Sequence, residues 1–150
     1  GGYLKADTGK RKMKQGKLAP MRFESTDGYP IYVGRNNRQN DELTFKLARK
    51  DDIWCHASKV HGSHVIISCG GTVPPDDTIT QAAQLAAYYA ETKGGQNLPV
   101  DVTPVRQVKK VPSGKPGMVI YHSHRTVYVN PYPQIVVDAL NAEHPEKEGS

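Results

Sequence analysis

Only two cysteines occur in 150 residues, Cys55 and Cys69, and they form no Cys-x-x-Cys pair. That excludes a disulfide framework and the paired-thiolate zinc pattern, so a reducing, cytoplasmic setting is expected. No apolar run approaches the ~18 residues a membrane helix needs, and no membrane partner is expected. No charged-then-apolar leader opens the chain and no methionine starts it, as expected of a domain cut from a longer, non-secreted protein. Internal repeats are missing too. The length suits one domain with one real core.

Acid is absent where base is plentiful. From Val102 to Val137 there is no Asp or Glu, while Arg106, Lys109, Lys110, Lys115 and Arg125 all fall inside that stretch. Residues 1–17 carry Lys5, Lys10, Arg11, Lys12, Lys14 and Lys17 against Asp7 alone, and acids return in the tail at Asp138, Glu143, Glu146 and Glu148. A formal net charge of +5 sorted in this way suits a polyanion, and nucleic acid is the expected partner. For any single run the alternative is a solvated surface whose charge favours solubility.

Apolar periodicity places the elements. Residues 1–20 lack it and read as a flexible basic lead-in. Met21 to Ser25 and Ile31 to Gly34 flank the turn signal Thr26-Asp-Gly28 and predict a hairpin. A short helix follows, capped by Asn40 or Asp41, with Leu43, Leu47 and Ala48 on one face. Ile53 to His56 alternates as a strand, with Ile53 and Cys55 on one side and Asp52, Trp54 and His56 on the other. Ser63 to Ser68 returns as a buried strand, and an alanine-faced helix capped by Asp77 or Thr78 spans Ile79 to Thr92. Strands are predicted over Val100 to Val111 (broken at Pro104), Met118 to Tyr121 and Thr126 to Val129, the last two as a hairpin across His122-Ser-His-Arg125. Gln134 to Asn141 reads as a last helix before an acidic, disordered tail at 142–150. The order predicts a single α+β domain over 21–141, with a mixed β-sheet, hairpins and two to three helices packed on it.

Four groups of residues are candidates for a site. Asp52-x-Trp54-x-His56 puts an indole beside an imidazole, a flat surface for stacking a base, with Asp52 setting the tautomer. The structural alternative makes Trp54 core and His56 a hydrogen-bonded histidine. Gly62-Ser63-His64 offers a hydroxyl and an imidazole after a tight turn, or a serine that satisfies its own backbone. Arg35-Asn36-Asn37-Arg38 with Asn40 and Asp41 suits phosphate and base edges; a polar turn with a helix cap accounts for Asn40 but not for both arginines. Lys109-Lys110 to Lys115-Pro116-Gly117 frames a basic loop that lacks the nucleotide P-loop pattern. Zinc on Cys55, His56, His61 and His64 matches no established spacing, and adjacent Cys55 and His56 point to opposite strand faces. Cys55 or Ser63 as a nucleophile beside His56 or His64 is geometrically open, yet nothing identifies a substrate. No metal, no cofactor and no catalytic residue is therefore expected.

Taken together, SxDGxxIYVGRNNxQNDxLTFKxA, DIWxHxxxxxGSHVII, an AAxxAAYY helix and VKKxxxxKPGMVIY…TxYVxP resemble the RNA-binding (NFACT-R) domain of the NFACT family. That family holds the RqcH and NEMF ribosome-quality-control factors, some of them labelled fibronectin-binding. The similarity covers about Gly2 to Pro131, and Gly2 to Lys5 with the lysines that follow resembles the family's exit from a coiled-coil region. His61 stands where members often have Pro, and Cys55 where they often have an aliphatic residue. The resemblance implies RNA binding on the ribosome, with tRNA, large-subunit rRNA or both as partners during alanine tailing of a stalled chain. A ribosomal-protein or extracellular-matrix contact, or an RNA-processing enzyme, is the alternative. Arg35, Arg38, Lys109, Lys110 and Lys115 would hold phosphate. Trp54, His56 and His64 would form a pocket for an unstacked base or a protein partner, with Asn36, Asn37, Asn40, Asp52 and Ser63 completing the surface.

Overall fold

The computed structural model describes residues 18–92, 94–112 and 114–131. The first hairpin is where the sequence places it: β1 (Met21–Glu24) pairs antiparallel with β2 (Pro30–Val33), Met21 opposite Val33. α1 (Asn37–Glu42) follows and widens into a π-helical turn, Leu43–Leu47, closed by the Ala48 amide donating to the Leu43 carbonyl at 2.9 Å. β3 (Ile53–Ala57) and β4 (Val65–Ile67) are antiparallel neighbours, Trp54 facing Ile66. α2 (Asp76–Tyr88) then leads to β5 (Leu98–Pro104), a 3-10 turn (Val105–Gln107), β6 (Val108–Lys110), β7 (Val119–Tyr121) and β8 (Arg125–Val129).

Six strands form one sheet in the order β1-β2-β4-β3-β5-β8, and β6 and β7 form a second, two-stranded sheet. The α+β class is as expected, but every described pairing is antiparallel rather than mixed. The α2 connection does bring β4 and β5 round to the same direction. β3 lies between them, so that parallel relation never becomes a ladder.

Alternation assigns the two faces of the sheet. Ile31, Val33, Cys55, Val65, Ile67, Val100 and Val102 point to one side and meet Ile79, Ala82, Ala83 and Ala86 of α2. Small alanines let the helix lie close to the strands. On the other side Trp54 and Ile66 meet Leu43 of the π turn, Val105 and Val108, with Val119 and Tyr121 packed around them. Central β4 is buried on both faces, which is why Val65-Ile-Ile67 reads as an unbroken apolar run.

Several placements differ from expectation, and α2 ends at Tyr88 rather than Thr92. α1 starts earlier, because Asn36 Oδ1 accepts from the Gln39 amide at 2.8 Å while Gln39 Oε1 accepts from the Arg35 amide at 2.7 Å. This reciprocal closure resembles a capping box and draws the helix start into the polar run. α2 starts at Asp76 behind Pro75, and the Thr78 hydroxyl instead lies 2.8 Å from both Ser25 Oγ and Asp27 Oδ2. The predicted hairpin between Met118–Tyr121 and Thr126–Val129 does not form. Pro104 and the 3-10 turn lift the chain off the sheet, β7 folds back on β6, and β8 joins the edge beside β5. Most of the lead-in, the helix at 134–141 and the tail at 142–150 lie outside the described residues.

Candidate nucleic-acid interface

Cross-strand register lines up one row of side chains on the sheet face away from α2: Arg22, Tyr32, Ile66, Trp54 and Thr103. The π turn and the β6–β7 hairpin close over the middle of that row. Trp54 is 0% exposed, and His64 is likewise 0% exposed. The open stacking platform expected of Trp54, His56 and His64 is therefore corrected: two of its three rings offer no surface to a ligand. Their role is internal. Trp54 and His56 lie nearly parallel with centroids 5.5 Å apart, and His64 meets both edge-on.

Hydrogen bonds fix the state of His64. Indole N–H can only donate, and Trp54 Nε1 donates to His64 Nδ1 at 3.2 Å. Thr44 Oγ1 lies 2.8 Å from the same nitrogen. Nδ1 is thus an acceptor, the proton sits on Nε2, and Nε2–H donates to the Gly117 carbonyl at 3.2 Å. A second proton would face the indole N–H in a buried site, and burial first, then the nearby His56, pushes the pKa of His64 down to about 3. One neutral imidazole so ties β3, the π turn and the tip of the β6–β7 hairpin together. Burial also lowers the pKa of half-buried His56.

Several other expected contact residues are scaffold. Asn40, 3% exposed, accepts from the His64 amide at 3.1 Å and donates to the Gly62 carbonyl at 3.4 Å. Gly34 makes room for it, since a Cβ there would fall 2.0 Å from Asn40 Oδ1. Ser63 donates to the Gly34 carbonyl at 2.7 Å. Asp52 accepts backbone amides on both oxygens, from Cys69 and Gly70 at 3.0 Å and from Arg49 at 2.8 Å. Asn36 caps α1, and Asn37 Oδ1 lies 3.0 Å from His61 Nε2. A nucleophilic Cys55 is ruled out by position: it is 0% exposed, and burial raises its pKa to about 12.

The predicted cations do reach solvent. Arg35, Arg38, Lys109, Lys110 and Lys115 are all exposed. Lys110 pairs with Asp41 at 3.1 Å and lies 5.6 Å from the Phe45 ring centroid. The Gly117 amide donates to Asp41 at 3.3 Å, so the basic hairpin is docked on α1. Lys46, Arg49, Lys50 and Arg106 are exposed on the same layer. The opposite layer differs: α2 contains Asp76 and Asp77 in its first turn and no Lys or Arg. Cations are therefore concentrated on the hairpin and π-turn layer, although exposed Arg125, opposite Val102, falls on the α2 side.

Sequence reasoning missed the network around Asp101. Tyr121 donates to Asp101 Oδ2 at 2.6 Å and Thr126 to Oδ1 at 2.8 Å, with His124 Nε2 3.6 Å away. Burial, then the bond to Asp101, raises the pKa of Tyr121. The available signal was Asp101 itself, an acid at an alternating position between Val100 and Val102. Among the described residues no three His, Cys, Asp or Glu side chains gather as metal ligands.

A sheet with an acid-tipped helix on one face and a cation-studded layer on the other defines a polyanion-binding domain. Residues 19–123 match the family model of the NFACT protein RNA binding domain, and the chain belongs to that family. It is 43% identical over 139 residues to the Rqc2 homolog RqcH of Bacillus subtilis, covering 91% of this chain and 24% of that protein. The Rqc2 homolog RqcH of Streptococcus pneumoniae is 42% identical over 132 residues, covering 87% of this chain and 23% of the relative. The chain thus spans about a quarter of the length of these relatives. A solved structure, the C-terminal of the fibronectin/fibrinogen-binding protein from Streptococcus suis, superposes with a TM-score of 0.79 at 38% identity, covering 87% of this chain and 52% of that one.

Proposed function

We propose that this domain binds RNA through its basic layer, as the RNA-holding part of a cytoplasmic ribosome-quality-control factor. Its partners are tRNA, large-subunit rRNA or both, on stalled ribosomal complexes during alanine tailing. It contributes contacts and no chemistry of its own. The observation that carries this reading is that Arg35, Arg38, Lys109, Lys110 and Lys115 are all exposed, while α2 has no cation. Phosphate neutralisation by such a layer releases counterions, and affinity then falls with salt.

Titrating labelled tRNA at several salt concentrations tests this. Log affinity is expected to fall linearly with log salt, with a slope of about −0.7 per phosphate contact on single strands and about −0.9 on duplexes. Replacing Lys109 and Lys110 by Ala should weaken binding and flatten the slope by roughly one to two such contacts, while the RNA stays intact throughout. Affinity independent of salt would overturn the reading. A second reading comes from the similar Streptococcus suis structure, the C-terminal of a fibronectin/fibrinogen-binding protein. Capture of either protein in high salt, with no RNA binding, would favour a protein-docking role for the same domain.

A further inference from the structure

We infer that the uncovered end of the second sheet face is a pocket for one unstacked base of single-stranded RNA. The inference rests on the RNA-binding reading above and adds what the bound strand must offer.

The cover formed by the π turn and the β6–β7 hairpin stops short of the β1–β2 edge. Trp54 and Ile66 are 0% and 1% exposed, whereas the next two members of their row, Tyr32 and Arg22, remain partly open. A cleft of about 430 Å³ results, lined by Tyr32, Ile66, Arg22 and the Leu43, Leu47 and Ala48 edge of the π turn. That size falls in the range of about 300–1,000 Å³ typical of small-ligand sites. Its surfaces suit a flat heterocycle. The Arg22 guanidinium carbon stands over the Tyr32 ring, 6.0 Å from its centroid, so a base can stack on the outer guanidinium plane or on the other face of the phenol. Bases stack on both kinds of plane.

Charge at the mouth selects a nucleotide over an aliphatic peptide. Arg35 Nε donates to the Ala19 carbonyl of the cleft wall at 2.7 Å, which holds that cation at the rim. Lys46 and Arg49 flank Leu47 and Ala48 in sequence and are exposed. The one lining carboxylate, Asp52, has both oxygens occupied by backbone amides. A base entering the cleft would leave its phosphates among these cations. Duplex bases keep their faces stacked, so only a splayed strand can insert one.

The test uses the whole chain and three labelled RNAs: a ten-nucleotide oligoadenylate, a ten-nucleotide strand abasic throughout, and a ten-base-pair duplex. Oligoadenylate is expected to bind about tenfold more tightly than the abasic strand, the value of one stacked base, although their phosphates are equal in number. Tyr32→Leu should erase that difference and leave the salt slope unchanged. Ser68→Phe, which fills the cleft from its wall, should do the same if Tyr32→Leu fails to fold. Equal binding of the intact and abasic strands overturns the pocket while leaving RNA binding in place. So does a base preference that survives both variants. Failure of all three RNAs to bind overturns the RNA reading and the pocket with it.

Discussion

His64 carries more of the architecture than any cation does. An ordinary histidine takes up its proton near 6.5, whereas buried His64 stays neutral down to about 3. Between those values the unfolded chain binds the extra proton, so stability is fully present above about pH 6.5 and is lost progressively as pH falls. His56, also lowered by burial, acts in the same direction. Urea unfolding from pH 8 to pH 4 should therefore show an acid limb of about 1.4 kcal/mol per pH unit for each proton. His64→Gln should be less stable at pH 7.5 yet have a flatter limb; identical limbs would clear His64 of responsibility. Trp54→Ala should cost about 3–5 kcal/mol as a core truncation. Gly34→Ala would drive its new Cβ into Asn40 Oδ1 and displace that side chain, and thermal unfolding should register a loss of about 2 kcal/mol or more. Cys55 should resist iodoacetamide at pH 8 in the folded protein and react once urea exposes it.

At the scale of elements, the β6–β7 hairpin decides what α1 can present. Asp41 holds it through the Gly117 amide and neutralises Lys110. Asp41→Asn keeps an acceptor for that amide and releases the lysine. RNA affinity should rise about twofold and the salt slope should steepen by roughly 0.7. Folding stability should barely move, since half-exposed ion pairs contribute only ~0–1 kcal/mol. Alternation in Ile53-Trp-Cys-His56 was enough to assign both faces of β3, and the alanines of α2 were enough to lay it on the sheet. What covers the Trp54 face was not readable, because Leu43 precedes Trp54 in sequence while Val108 comes from a later strand beyond α2. The partner of Val119–Tyr121 escaped for a related reason. A strand takes whichever edge is free, and Pro104 had already diverted the chain from the main sheet. The cations Arg35, Arg38, Lys109, Lys110 and Lys115 were legible as exposed, whereas Asn40, Asp52, Ser63 and His64 looked like contacts and are internal fasteners.

For the molecule as a whole, the two layers should behave independently toward a polyanion. Asp76→Asn with Asp77→Asn on α2 should change RNA affinity by less than about twofold, because that surface stays outside the contact and beyond a Debye length of ~10 Å at 0.1 M salt. Equal losses from α2 and hairpin variants would instead mean that the RNA wraps both sides. The absence of any lysine or arginine from α2 has one more consequence. With two acids at the tip of α2 and cations gathered on the hairpin and π turn, the domain's charge is unevenly placed. It therefore experiences a torque in the field of a nearby nucleic acid and swings round before they touch. Collisions then begin in a productive orientation, and added electrolyte should slow arrival as well as loosen the final grip.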